Sequence, residues 1–236
     1  MIELRSDMIV ELIRHDADDL GAVQAAQVST KGEASRDSDM PDDKITGFIN
    51  FLMRNRHGSP FEHNSMTFLI RAPIFVFREF HRHRIGWSYN EESGRYTKLR
   101  PTFYVPDEDR DLVQVGKPGY YEFVPGTAIQ HVTTIDALRS SYQHDYATYE
   151  YLLEQDVARE VARACLPVAI YSSMYATCNA RSLMNFLSLR TKNPDSAFPS
   201  YPQREIEMVA EKMEKEWEQL MPITHKAFTA NRRVAP

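Results

Sequence analysis

The chain has 236 residues, 42% of them hydrophobic and 26% charged, the make-up of an ordinary folded domain with a sizeable core. Its formal net charge is −5 and its pI is near 5.9, an acidic balance that argues against a general nucleic-acid binder. No apolar run approaches the ~20 residues of a membrane span, so a single domain over 1–236, with no membrane partner, is the expectation.

The N-terminal MIELRSDMIVELIRHD is charged throughout and lacks the apolar centre of a signal peptide. Within it, Met8 to Arg14 is rich in aliphatic and β-branched residues and is predicted as a strand. Asp18 and Asp19 then stand where acids favour a helix start, ahead of an Ala-rich helix from about Leu20 to Val28. Ser29 to Asp42 reads as a loop. From Asp43 to Arg54, Ile45, Phe48, Ile49, Leu52 and Met53 recur at helical spacing. His57 to His63 forms a turn into the alternating segment Ser65–Arg71, where Met66, Phe68 and Ile70 share one face of a strand.

Pro73 suits the first turn of a helix predicted to run to about Arg84, on which Glu79 would neighbour Arg82 and His83. Residues 101 to 126, rich in Pro and Gly, read as a loop-rich connection. A long helix follows over Ala128–Leu153, then a short one in VAREVARACL with Arg159 and Arg163 one turn apart. Ala169 to Cys178 reads as a strand, Ala180–Arg190 as a helix, and a Pro-interrupted loop leads to a last long helix over Arg204–Leu220. Only two cysteines, Cys165 and Cys178, leave no disulfide framework and point to a reducing, cytoplasmic setting.

Chemistry concentrates between Arg78 and Arg100, REFHRHRIGWSYNEESGRYTKLR. Clustered guanidinium groups repel one another and cost desolvation, so they persist where an anion compensates them, and their forks match phosphate and carboxylate oxygens. A solvated basic face is the plain alternative. Interleaving with Phe77, Phe80, Trp87, Tyr89 and Tyr96, and the Asn-Glu-Glu-Ser-Gly turn, favour an aromatic-lined anion site. On a helix Arg82, His83 and Arg84 would fan out by ~100° per residue and meet different groups. The second informative stretch is Asn179 to Arg190, NARSLMNFLSLR. There Arg181 and Asn185 share a polar edge, while Arg190 lies on the side of Leu183, Phe186 and Leu187. A helix-terminal Arg balancing the dipole is its plainer reading.

Arg82-His83-Arg84 followed by Ser93-Gly94-Arg95-Tyr96 closely resembles the signature of the flavin-dependent thymidylate synthases. Eight residues, Ile85 to Glu92, separate the halves where the family has seven, so the extra residue is expected in a bulge or loop around Gly86-Trp87, confined to Ile85–Ser88. NARSLMNFL-x-LR is similar to the family's second signature. The His57-x-Ser59-Pro-Phe-Glu-His block, the Arg-Glu-Val-Ala-Arg163 run and the early segment ending at Ser29 extend the likeness over roughly residues 19 to 210.

The resemblance implies an α/β fold of the α+β type, with a mainly antiparallel sheet flanked by helices and not a Rossmann sheet. No Gly-x-Gly-x-x-Gly fingerprint occurs here. It implies an FAD site using Ser59, Arg82, His83, Arg84, Glu91, Asn179, Arg181 and Asn185. It implies a dUMP site using Glu79, Arg82, Glu91, Glu92, Ser93, Gly94, Arg95, Arg163 and Arg190. Arg190 would be the catalytic group, stabilising charge on the uracil ring without a covalent adduct. NADPH and 5,10-methylenetetrahydrofolate are the implied co-substrates, and a homotetramer with shared sites the implied assembly. His57 would lie near flavin and folate, or be a satisfied turn histidine.

Three rivals stand beside this reading. His57, His63, His81 and His83 could form a metal cluster, which the neighbouring arginines would oppose. The Arg and aromatic-rich stretch could bind nucleic acid. Cys165 or Cys178 could be the nucleophile of a thiol-dependent synthase, although both sit in apolar runs that usually keep a thiol inert.

Overall fold

The computed structural model describes every residue except Gly119 and the side chain of Tyr120. In chain order its elements are β1 (Glu3–Arg5), β2 (Ile9–Asp16), α1 (Asp19–Lys31), α2 (Asp42–Arg54), β3 (Ser65–Pro73), α3 (Ile74–Phe80), β4 (Trp87–Glu91), β5 (Thr102–Tyr104), β6 (Val113–Lys117), β7 (Tyr120–Val124), α4 (Ala128–Glu154), α5 (Arg159–Ala162), β8 (Tyr171–Cys178), α6 (Ala180–Arg190), α7 (Arg204–Leu220) and α8 (Pro222–Ala230). Short 3-10 turns occupy Gly32–Asp37, Ser59–Glu62 and Arg163–Cys165.

Local chemistry sets many of these boundaries. The Asp18 side chain accepts from Gly21 N at 2.6 Å to start α1, and Thr127 with Gln130 forms a capping box on α4. Three helices end in one Schellman geometry. Beyond α2, α4 and α8, Arg56, Asp156 and Arg232 take φ of 62°, 60° and 59°, and the next residue's N–H returns to a carbonyl five residues back. Glycine normally fills that left-handed position, so each of these side chains is held there against its preference.

The chain forms two compact units: Met1–Asp7, Ala72–Phe77 and Glu92–Ser172 in one; Met8–Arg71, Arg78–Glu91 and Ser173–Pro236 in the other. In the first, β1 pairs parallel with β5, and β6 pairs antiparallel with β7. Its core gathers Leu99, Phe103, Tyr142, Tyr146, Tyr149, Ala162 and Ile170. The tyrosines along α4 bury their rings and still find partners: Tyr142 donates to Tyr104 O and Tyr146 to Leu99 O, both at 2.9 Å.

The second unit holds most of the four-stranded sheet, ordered β2-β3-β8-β4, with β2/β3 and β8/β4 antiparallel. Met66, Phe68 and Ile70 are fully buried on β3, as their alternation predicts. On the opposite face Thr67 bonds Thr177 of β8 at 2.9 Å. Ile206, Val209, Met213 and Trp217 bury one side of α7. Asp19, at the start of α1, accepts from Ile223 N, Thr224 N and Thr224 Oγ1 at 2.8, 2.8 and 2.6 Å and so caps α8.

The mixed fold with an antiparallel sheet agrees with the expectation, but several local readings are corrected. The helix predicted over Pro73–Arg84 is shorter: Pro73 closes β3, and α3 stops at Phe80. His81 to Arg84 offers no apolar side chain to bury, so nothing pulls the helix onward, and turn bonds from Arg82 N to Glu79 O and His83 N to Phe80 O take over. Glu79 therefore does not share a helical face with Arg82 and His83. The irregular backbone is not confined to Ile85–Ser88: it runs from His81 to Gly86, where Gly86 has φ 68°, and regular strand already begins at Trp87. The stretch 101 to 126 holds β5, β6 and β7, and β1, β4 and α8 were not foreseen.

Candidate active site

In the second unit the geometry centres on Arg190, the last residue of α6. Its Nε donates to His83 Nε2 at 3.0 Å, its Nη2 to Glu79 O at 3.4 Å, and its Nη1 pairs with the Glu79 carboxylate at 2.5 Å. The Arg190 side chain is 17% exposed. A charge so nearly buried needs such partners, so this arginine is more than a dipole-balancing surface group. Burial and the Arg190 charge lower the His83 pKa to about 4, leaving the ring neutral at pH 7. With Nε2 accepting from Arg190, the ring proton sits on Nδ1.

An aromatic cluster fixes the turn that carries His83. The Phe80 ring stacks on Phe186 at 4.8 Å, and Trp87 packs against both Tyr89 and Phe186. The Tyr89 hydroxyl donates to Phe80 O and His83 O at 3.1 and 2.9 Å, tying β4 to the Arg-His-Arg turn. Burial pushes that hydroxyl's pKa up, which keeps it a donor. Ser182 Oγ donates to Ile85 O at 2.9 Å. A Cβ added at Gly86 would lie 2.1 Å from Ser182 Oγ and 3.0 Å from Asn179 Nδ2, so only glycine lets this turn sit on the start of α6.

That helix start carries two more of the predicted residues, Asn179 and Arg181. Asn179 caps α6, accepting from Ser182 N at 2.8 Å, while Asn64 Oδ1 accepts from Ala180 N at 2.8 Å. Arg181 Nε donates to Pro236 O at 2.6 Å and its Nη1 pairs with Glu62. A Cβ on Gly58 would come within 2.5 Å of the Arg181 guanidinium, which is why glycine stands between His57 and Ser59. His57 is exposed and its ring lies 5.6 Å from that of Phe51. Ser59 and Asn185 are exposed. Arg82 and Arg84 are exposed too, and neither forms an ion pair with a carboxylate among the described residues. Glu91 ends β4 opposite Met174.

The other predicted residues, Glu92, Ser93, Gly94, Arg95 and Arg163, belong to the first unit. Ser93 O accepts from Tyr96 N and Thr97 N, at 3.0 and 3.1 Å, and Ser93 Oγ accepts from Arg95 N at 3.3 Å, which folds this segment into a tight turn. A Cβ on Gly94 would lie 3.1 Å from Arg163 Cδ, so the bare glycine lets the arginine stem lie on the turn. Arg95 pairs with Glu160 at 2.8 Å, an exposed contact that gives way readily to a stronger anion. Glu92 is half-buried.

Glu62, inside the Ser59–His63 block, and Asn64, the residue after it, anchor α6, and no local sequence signal marks either for that role. Burial raises the pKa of Cys178 and of Cys165, the opposite of what a nucleophilic thiol needs. Among the described residues no group of three or more His, Cys, Asp or Glu is placed to hold a metal ion.

The family described as thymidylate synthase complementing protein has a model that matches residues 11–223. A flavin-dependent thymidylate synthase of Streptomyces coelicolor is 63% identical over 100% of this chain and 96% of its own length. One from Thermotoga neapolitana is 42% identical over 93% and 89%. The crystal structure of a UMP/dUMP methylase PolB from Streptomyces cacaoi bound with 5-Br dUMP matches with a TM-score of 0.95 and 56% identity over 100% of both chains. The same methylase bound with 5-Br UMP matches at 0.92 and 54%, over 100% of this chain and 99% of that one. On this full-length agreement the chain belongs to the flavin-dependent thymidylate synthases, the thymidylate synthase complementing protein family.

Proposed function

We propose that this chain converts dUMP to dTMP by reductive methylation, with 5,10-methylenetetrahydrofolate giving the carbon and FAD, reduced by NADPH, the hydride. The 63% identity to a flavin-dependent thymidylate synthase over the whole chain carries the proposal. The geometry around Arg190 supports it. Of the five N–H groups of a guanidinium, the contacts with His83, Glu79 O and the Glu79 carboxylate engage three. The remainder can meet a uracil oxygen or ring nitrogen. Held in a partly buried setting, Arg190 would stabilise the negative charge that makes the uracil carbon nucleophilic.

The donor chemistry suits the flavin as well. Arg82 and Arg84 present exposed guanidinium groups without carboxylate partners among the described residues, fitting a pyrophosphate, with Ser59, Glu91, Asn179, Arg181 and Asn185 as further contacts. When bound, the flavin supplies the redox chemistry. Glu79, Arg82, Glu91 and Glu92 would orient the nucleotide, and the Ser93–Gly94 amides with Arg95 and Arg163 would take its phosphate. His83, its Nε2 taken by Arg190, would offer its Nδ1–H to the flavin. His57 is assigned to the flavin and folate vicinity. A homotetramer sharing its sites and a cytoplasmic location complete the proposal. No described helix is long and apolar enough to cross a membrane.

The purified protein should be yellow and should form dTMP from dUMP and methylenetetrahydrofolate only with flavin and NADPH present. Equal dTMP formation by flavin-free protein without NADPH would overturn the proposal. The solved neighbours, described as UMP/dUMP methylases, favour a second reading in which UMP is also methylated. A UMP-to-dUMP comparison of kcat/KM on the same protein separates the two.

A further inference from the structure

Arg233 lies far along the chain from every residue assigned above, yet its guanidinium reaches the end of α6. It is 5% exposed, and its φ of 57° follows 59° at Arg232, two successive left-handed residues with full side chains. Its Nη1 and Nη2 pair with Glu214 of α7 at 2.7 and 2.8 Å. Nη2 also donates to Thr191 Oγ1 at 2.9 Å. The Phe228 ring lies 5.0 Å from the guanidinium carbon, and His225 Nε2 is 2.9 Å from Glu214 Oε1, the oxygen that Arg233 Nη1 meets. A buried ion pair is a poor source of stability compared with apolar packing, and the dUMP and flavin assignments leave this one unused.

Thr191 is where the cluster bears on chemistry. It is the residue after Arg190, and it closes α6: its N–H and its Oγ1 both donate to Leu187 O, at 3.1 and 2.7 Å. Its own backbone is already extended, with φ −123° and ψ 141°. Arg190 is thus the last helical residue, at a place where helices fray because the final carbonyls lack partners. Arg233 brings a cation to that carbonyl end, which the helix dipole favours, and it fixes the Thr191 hydroxyl so that the hydroxyl's proton points at Leu187 O.

We propose that Arg233, anchored by Glu214, is a positioning residue for Arg190: through Thr191 it locks the last turn of α6 and so holds the uracil-activating guanidinium against Glu79 and His83. The proposal rests on the reading of Arg190 given above. A displacement of about an ångström at a reacting group costs as much as a hundredfold in rate, so an unlocked terminus shows first in turnover.

The test uses flavin-loaded enzyme carrying Thr191→Val, which keeps the shape and removes the hydroxyl, and Thr191→Ser, which restores it. Thr191→Val should lower kcat about tenfold while KM for dUMP changes less than about threefold and flavin absorbance per chain stays at the wild-type level. Thr191→Ser should recover kcat to within about twofold. Placed on Arg190→Lys, Thr191→Val should cost less than about twofold, because the group it positions is gone. Should Thr191→Val not fold, Arg233→Lys takes its place. It keeps the charge for Glu214 but cannot span both partners, and the same readouts apply. Wild-type kcat in the variant, a loss that tracks lost flavin, or an equal loss on Arg190→Lys would overturn the positioning role. Wild-type turnover by Arg190→Lys and Arg190→Ala would instead overturn the reading of Arg190 itself.

Discussion

At Arg190 the partners decide what the side chain can do. Glu79 neutralises its charge while His83, a neutral acceptor, fixes the plane of the guanidinium. Lysine keeps the charge but not the planar fork. Arg190→Lys is therefore expected to lower kcat about 10- to 100-fold with flavin absorbance retained, measured on enzyme of equal flavin content. The apolar register of α6 already placed Arg190 beside Leu183, Phe186 and Leu187. Its partners were hidden, because Glu79 lies 111 residues away and only folding brings it in. Arg181 was legible as a polar edge, but Glu62 as its partner was not, since nothing local links a carboxylate in a turn to the first turn of a helix 119 residues on.

Among the elements, those with a long apolar period were readable almost to the residue. Ala180–Arg190 and Arg204–Leu220 were predicted with the bounds they have. Strands β1 and β5, of three residues each, are too short for an alternation to show. Strand β4 exists because it pairs with β8, and no local signal marks that partner. The turn before β4 depends on Gly86. Gly86→Ala combines a left-handed φ with a collision against Ser182 Oγ and should destabilise the protein by at least about 2 kcal/mol, read from denaturant midpoints. The opposite change is expected after α4, where exposed Asp156 holds φ 60°. Asp156→Gly should raise stability by about 0.5–1 kcal/mol, because relief of backbone strain outweighs the added freedom of the unfolded chain.

At the scale of the whole molecule, two partly buried groups contribute to the response to acid. Burial alone would raise the Glu214 pKa, but hydrogen bonds and charge from His225 and Arg233 outweigh it and bring the carboxyl down from 4.5 to about 2. A carboxylate depressed by folding adds stability above its unfolded pKa and loses it as pH falls through the folded value, so this contribution disappears between about pH 4.5 and 2. His83, lowered from 6.5 to about 4, resists protonation in the fold, so its effect is complete above pH 6.5 and declines toward pH 4. Glu214→Gln should cost about 3 kcal/mol at pH 7, because Arg233 loses its counter-charge. It should also flatten the stability curve between pH 4.5 and 2, as denaturation at several pH values would record. The proposed chemistry needs no thiol, and burial raises the pKa of both cysteines. The most direct measurement is dTMP formation by Cys165→Ser/Cys178→Ser and by Arg190→Ala at matched flavin content. The account predicts near wild-type turnover without the cysteines and at least about a hundredfold loss without Arg190; a folded, inactive cysteine double variant beside an active Arg190→Ala would contradict it.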